Sequence, residues 1–438
     1  MENMIKWTKE IVKPEGIKYL EELGIKVEVP KYSRCVLCRG VRGLCGKSRC
    51  PILLKLYTHI RISNLIKKRE IFGSAPGVFV GRVGYPRVNI GPLVPPLYGD
   101  TAELDTPELW IGKPIESIVD SRMLLVRGKV RARVNDAGKL KLAEKVQEIA
   151  LASSPVDVEA KFKEIPKGTL ILDDYLQPFG PSAKLLDFKI TPTRWDKRIE
   201  KVYYDNDLKA GDAMMYLFQK GVLVSKIQKA LSVGALGLKF QRKLVPTRWS
   251  ITAVDSIISK RLIEEIKEFK EINEFRVYEF EYLGNIFEIL MIPEPWSYES
   301  MEAWYPGTTW NPGKRVVIYG DFESYWGRKS YASIGGCYYA ARLAVAEKLR
   351  RERRQATVII FREIHSDYLM PVGVWLVREC VRRALRREPA RFTSLNDAIQ
   401  RIEKKLSIDM DRWLTTSTLL KKLFYQRKIR EFLRRVSK

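Results

Sequence analysis

The sequence predicts a mixed α/β (α+β) protein: a larger N-terminal domain, a smaller C-terminal α/β domain and a basic helical tail. Three observations carry this. The 438 residues are 45% hydrophobic, enough for more than one core at roughly 100 to 200 residues per domain. In the first half, glycines and prolines punctuate short β-branched runs, a strand-and-turn signature. After residue 274, strand-like and helix-like stretches alternate, as in an α/β layer. The boundaries follow as 1–275 for the N-terminal domain, including a cysteine module at 35–50, then 276–413, and a tail over 414–438.

Element by element, residues 15–26 place Ile17, Leu20 and Leu23 on one helical face, and 51–72 has a Leu/Ile stripe that reads as a longer helix. Within 73–100 the runs Val78–Val83 and Arg87–Ile90 read as strands. Residues 121–134 read as a strand pair and 141–153 as a helix. The tetrapeptide Pro-Thr-Arg-Trp occurs twice, at 192–195 and 246–249, each time before a possible helix. Residues 274–293 alternate as two strands, 294–313 form an aromatic, Pro/Gly-rich loop, and 314–322 form a strand. A helix over 333–354, a buried strand over 356–365 and a helix over 373–387 complete the pattern.

The formal charge of +26 is regional. Residues 31–69 hold eleven basic residues and no acid, and residues 341–438 hold 25 basic against 11 acidic. Charge concentrated in this way suits a polyanion, because each Lys or Arg that neutralises a phosphate releases condensed counterions. DNA is the leading partner, contacted through Arg34, Arg39, Arg42, Lys47, Arg49, Lys67, Lys68 and Arg69. RNA binding or processing is a further reading of the same charge. No apolar run is long enough for a membrane span, and the first thirty residues lack a signal-peptide core, so a cytoplasmic protein with no membrane partner is expected.

Cys35, Cys38, Cys45 and Cys50 fall within sixteen residues, with Gly40, Gly43 and Gly46 between them. Four soft ligands at this spacing suit tetrahedral Zn2+ in a structural site. An iron-sulfur cluster is the alternative, since Cys50-Pro51 echoes the end of ferredoxin runs.

Catalysis is left open. No phosphate-binding loop, zinc-protease or serine-hydrolase motif is present. Asp321 and Glu323 end one predicted strand, and Glu363 and His365 end another. Two carboxylate-bearing strand ends could hold Mg2+ or Mn2+ for phosphodiester cleavage, so a metal-dependent nuclease acting on damaged or branched DNA is the alternative function. The aromatic loop with Trp296, Tyr298, Trp304, Tyr305 and Trp310 reads as core, with stacking on unpaired bases as its alternative.

In the tail, Gln426, Ile429, Phe432 and Leu433 match a sliding-clamp peptide: one helical turn presents three apolar side chains to a groove, with Gln426 in a polar subsite.

Taken together, the cysteine module ending Cys50-Pro51, the segment from Phe72 to Leu93, Asp120-Ser-Arg122 and the terminal peptide resemble the archaeal Nre family over nearly the whole chain. That resemblance implies a larger N-terminal and a smaller C-terminal domain, a role in the response to DNA damage, and recruitment to the sliding clamp PCNA through the tail.

Overall fold

The computed structural model describes residues 18–425 apart from 19, 29–33, 39–41, 139, 172, 174–176 and 309. The chain divides into two compact units, residues 1–258 with 366–376 and residues 259–365 with 377–438. The class is mixed α/β, as expected. Among the described residues, no helix is long and apolar enough to cross a membrane.

The first unit begins with a small satellite core. Strand β1 (Ile25–Glu28) pairs in parallel with β7 (Gly168–Ile171). Helices α1 (Arg34–Cys38) and α2 (Pro51–Ser63) complete it, and Leu20, Ile25, Cys35, Ile52, Leu56 and Leu170 are buried together there. Pro51 opens α2, where its missing N–H costs nothing. The helix ends at Ser63, not near 72 as the apolar stripe suggested: the Ser63 hydroxyl donates back to the Ile60 carbonyl (2.9 Å), a local bond that competes with helix continuation.

The main sheet of this unit has the order β2 (Glu70–Ala75), β6 (Val156–Phe162), β8 (Ser182–Ile190), β5 (Val126–Arg133), β4 (Arg87–Val94), β3 (Gly77–Val80). Only the β5–β8 pair is parallel. At β6 one face is covered and the other open, so its residues alternate buried and exposed along its whole length. Val80, Val88, Ile90 and Ala132 pack beneath Ala143 of α4 (Lys141–Leu151). The predicted strand pair over 121–134 is a single strand, because its first residues finish helix α3 (Ile115–Leu124), with Met123 buried. Gly91 is required where β4 meets β5, since a Cβ there would collide with the Gly128 carbonyl. Four more helices follow: α5 (Lys197–Tyr204), α6 (Ala210–Gln219), α7 (Val224–Ser232) and α8 (Thr247–Ile266), within which the unit division falls.

The second unit is built on a six-stranded sheet in the order β12 (Val317–Glu323), β11 (Ser297–Trp304), β13 (Thr357–Ile364), β10 (Asn285–Ile292), β9 (Phe275–Tyr282), β14 (Ala390–Phe392). Only β11 and β13 run parallel. All eight residues of β13 are buried. On one face Leu290, Met301, Ile359 and Phe361 pack with α11 (Leu395–Glu403), α12 (Met410–Thr416) and α13 (Thr418–Tyr425). Trp413 of α12 meets Phe361 edge to face at 5.4 Å. The remaining helices are α9 (Gly336–Glu352), whose buried residues include Leu343 and Val345, and α10 (Trp375–Arg386).

Eight of the twenty residues of the expected aromatic loop form strand β11. Trp296, Tyr298 and Trp304 are core residues, whereas Trp310 is exposed. The strand was masked in the sequence because Glu299 and Glu302, which would ordinarily mark a surface, point inward and are satisfied there.

Candidate nucleic-acid interface

The cysteine module leaves α1, turns at Gly43 and Gly46 (φ 61° and 67°), and enters α2 at Cys50. Positive φ at both glycines is the sharp-turn role expected of them. Cys35 and Cys38 are buried, and Cys45 and Cys50 half-buried. Burial first, then the nearby Cys45 and Cys38 thiols, raise the Cys50 thiol above its ordinary value against backbone hydrogen bonds at Leu53 and Ile52. Among the described residues, no group of three or more His, Cys, Asp or Glu side chains converges in metal-binding geometry.

The basic residues of this segment divide by environment. Lys67, Lys68 and Arg69 sit exposed in the turn between α2 and β2, and Arg42 is exposed. Arg49 is exposed but pairs with Glu116. Arg34 is half-buried, and Arg39 lies outside the described residues. Lys47 is buried and donates to the Leu369 carbonyl (2.5 Å), so it is withdrawn from any phosphate. His59 is buried too, and desolvation pushes its imidazole down to about 4.

A further basic surface was missed in the sequence. The β3–β4 hairpin and the end of β5 present Arg82, Arg87, Arg131 and Arg133, all exposed. In the β4–β5 register Arg87 lies directly opposite Arg133. Like charges at facing positions are destabilising, and an anion bridging them would offset that cost. Gly84 at the hairpin tip has φ 79°, and a Cβ there would collide with the Arg131 guanidinium. Beside the tip, the half-exposed rings of Tyr85 and Trp249 meet at 5.1 Å. Trp249 belongs to the second Pro-Thr-Arg-Trp, whose Thr247 hydroxyl accepts the Val80 N–H (2.9 Å) and ties the start of α8 to the hairpin. The signal available in the sequence was the recurrence of this tetrapeptide and the run of alternating arginines in β5.

The candidate catalytic residues do not converge. Strand β12 is antiparallel to β11, while β13 is parallel to it, so the carboxyl ends of β12 and β13 lie at opposite ends of the sheet. Glu323 pairs with Tyr298 and Glu363 with Ala303; at about 3.4 Å per residue these positions are roughly 17 Å apart along β11. Each carboxylate already has partners. Asp321 accepts from Arg328 (2.7 Å) and the Ser333 N–H (2.7 Å); burial would raise its carboxyl, but these bonds hold it below the ordinary value. Glu323 is buried against Arg342 (2.6 Å). Glu363 accepts from the N–H groups of Ser407 (3.0 Å) and Ile408 (3.0 Å) and meets His365 Nε2 at 2.9 Å. The His365 ring stacks on Tyr305 at 4.2 Å. The clamp-like residues Gln426, Ile429, Phe432 and Leu433 lie outside the described residues.

Two family models match the chain: archaeal Nre, N-terminal, over residues 44–311, and archaeal Nre, C-terminal, over residues 323–432. The chain belongs to the archaeal Nre family. Among its relatives are the DNA repair protein NreB of Archaeoglobus fulgidus, 46% identical over 91% of this chain and all of the relative, and NreA of the same organism, 41% identical over 85% and 94%. NreA of Haloferax volcanii is 35% identical over 82% and 88%. No solved structure matches.

The match to the Nre N-terminal model runs past the first structural unit and includes β9, β10 and β11 of the second. In this Nre chain, β10 also carries an unusual carboxyl group. Glu288 lies opposite Glu279 and next to the Glu363 position in the sheet register. It is fully buried, with neither oxygen hydrogen-bonded. Burial first, then Glu279, push its carboxyl up to about 8. The folded state therefore holds a proton that the unfolded chain releases above about 4.5. Stability is present below that pH and is lost as pH rises toward 8. Chemical denaturation across this window is expected to lose up to about 1.4 kcal/mol per pH unit from this group. Glu288→Gln is expected to flatten the decline, and an unchanged slope would contradict the assignment.

Proposed function

We propose that this Nre chain is a DNA repair factor that binds DNA through the basic surface of its first unit and is brought to the sliding clamp PCNA by its terminal peptide. The observation that carries DNA binding is the exposed arginine group on the β3–β4–β5 edge, two of whose members face each other. Its relatives of up to 46% identity are named DNA repair proteins, which supports the repair role. Lys67, Lys68 and Arg69, exposed in the turn between α2 and β2, are further cationic groups of the first unit. Phosphate contacts of this kind give affinity without sequence preference, as a factor acting at varied lesions requires.

In this reading Cys35, Cys38, Cys45 and Cys50 hold a structural Zn2+. Zn2+ takes cysteines as thiolates, and the satellite core around Leu20, Ile52 and Leu56 is too small to order the module alone. The clamp peptide begins at Gln426, the residue after Tyr425, which is the last described residue of α13. The start of α13 is tied to the sheet by Glu299, which accepts from the Thr418 N–H (2.7 Å) and the Leu419 N–H (3.0 Å).

Three measurements test the parts separately. The logarithm of DNA affinity is expected to fall steeply with the logarithm of salt concentration, and the Arg87→Ala, Arg133→Ala double variant should reduce that slope by about 2; an unchanged slope would remove the hairpin from the contact surface. Metal analysis of the purified chain should find about one zinc ion, lost in Cys38→Ser; iron with visible absorbance would replace zinc by a cluster, and a metal-free, folded chain would end the assignment. Replacing Ile429, Phe432 and Leu433 by Ala should abolish PCNA capture in a pull-down while DNA affinity holds, and retained capture would dismiss the tail.

A further inference from the structure

The first Pro-Thr-Arg-Trp, at 192–195, lies beside a cavity of about 320 Å3 lined by Thr193, Arg194, Trp195, Lys197, Glu200 and Tyr204. We propose that this cavity takes one unpaired nucleobase of a DNA strand, an inference that rests on the DNA-binding reading above and gives that binding a preferred substrate class.

One side of the lining is flat and aromatic, two rings stacked on each other with Tyr204 outermost. The rings of Trp195 and Tyr204 are nearly parallel (17°) with centroids 6.2 Å apart. Tyr203 meets both edge-on, at 5.1 Å and 5.4 Å, and so holds their orientation. Tyr204 is 65% exposed, although the opposite face of α5 buries Ile199 and Val202. An exposed tyrosine beside a half-buried tryptophan gains little for folding, whereas base stacking on such rings contributes about 1 to 3 kcal/mol.

The site is held before any ligand arrives. Trp195 bridges Ala152 through the backbone, the Ser153 N–H donates to the Arg194 carbonyl (2.9 Å), and the Asp196 N–H donates to the Leu151 carbonyl (3.1 Å). The Asp196 carboxylate then accepts the Arg198 N–H (3.0 Å) and caps α5. Preorganisation lowers the ordering cost of binding.

Charge identifies the ligand. Arg194 and Lys197 are exposed and have no ion pair among the described residues, so both are available to phosphates flanking a base. Glu200 supplies an acceptor inside the cavity, matched to the amine and ring N–H donors on the Watson–Crick edge of a base. Those donors are free only when the base is unpaired. The volume lies at the low end of small-ligand cavities, about 300 to 1,000 Å3, and suits a base with its sugar better than any duplex groove.

The test uses the full chain with labelled duplexes of one length, either fully paired or carrying one unpaired base, and a free mononucleotide as competitor. The wild-type chain is expected to prefer the duplex with the unpaired base. Tyr204→Ala and Trp195→Ala should weaken binding to that duplex by about 5- to 150-fold, the fold-change corresponding to one stacked base, and Tyr204→Phe should restore it. Thermal midpoints show that the variants are folded, and Tyr204→Ala, at a largely exposed position, keeps the test valid if Trp195→Ala is not. Equal wild-type affinity for the two duplexes, or a preference that survives Tyr204→Ala, would overturn the pocket while leaving DNA binding intact. A mononucleotide that binds more tightly than the unpaired-base duplex would overturn it in favour of a free-nucleotide site. A wild-type chain that binds neither duplex would sink the DNA-binding reading and the pocket together.

Discussion

Strand β13 is buried along its whole length yet carries Arg362 and Glu363 side by side. A charge out of water must find a partner or destabilise the fold by several kcal/mol, and much of the second unit meets that requirement. Arg362 points to one face, where it pairs with Glu302 (2.6 Å) and donates to the Asn285 side chain at 3.0 Å and 2.7 Å. Glu363 points to the other and accepts the backbone N–H groups of Ser407 and Ile408, just before α12. Glu299 on β11 does the same for the start of α13, and the Ser417 hydroxyl also donates to it. Glu299 thereby caps the beginning of α13 and complements its dipole, while Glu363 holds the loop that leads into α12. The helices covering the sheet are therefore tied to its central strands by acid side chains as well as by the Trp413 core.

The same requirement explains why the carboxylates of the second unit resembled a catalytic set. Acids at strand ends are the raw material of metal sites, and they are equally the raw material of caps and buried ion pairs. Partner count separates the two uses. Asp321 and Glu323 are each paired with an arginine and Glu363 accepts two backbone N–H groups, whereas Glu288 accepts no hydrogen bond and keeps a proton instead.

The first unit has the opposite economy of charge. Arg87, Arg131 and Arg133 of β4 and β5 stand in water, Arg87 and Arg133 in direct opposition, while Arg127 is half-buried and donates to the Gly180 carbonyl (3.2 Å). Both copies of Pro-Thr-Arg-Trp leave an arginine exposed and bring the tryptophan against a tyrosine, Tyr204 in one case and Tyr85 in the other. The tyrosine comes from the adjoining helix in the first copy and from a hairpin more than a hundred residues away in the second, so a shared sequence leads to two different surfaces.

The sequence by itself determined what is local. The alternation of strand and helix after residue 274, the glycine turns between the cysteines, and the family resemblance carried by the cysteine module and the Phe72–Leu93 segment could all be read from spacing and residue type, because turn chemistry and hydrophobic period act over a few residues. Tertiary structure decided what depends on strand direction and register. It separated Asp321 and Glu323 from Glu363 and His365, buried Lys47, turned eight residues of the aromatic loop into β11, and set Arg87 against Arg133. Those outcomes are pairings between residues distant in the chain, and no local period encodes which strand lies beside which, or in which direction it runs.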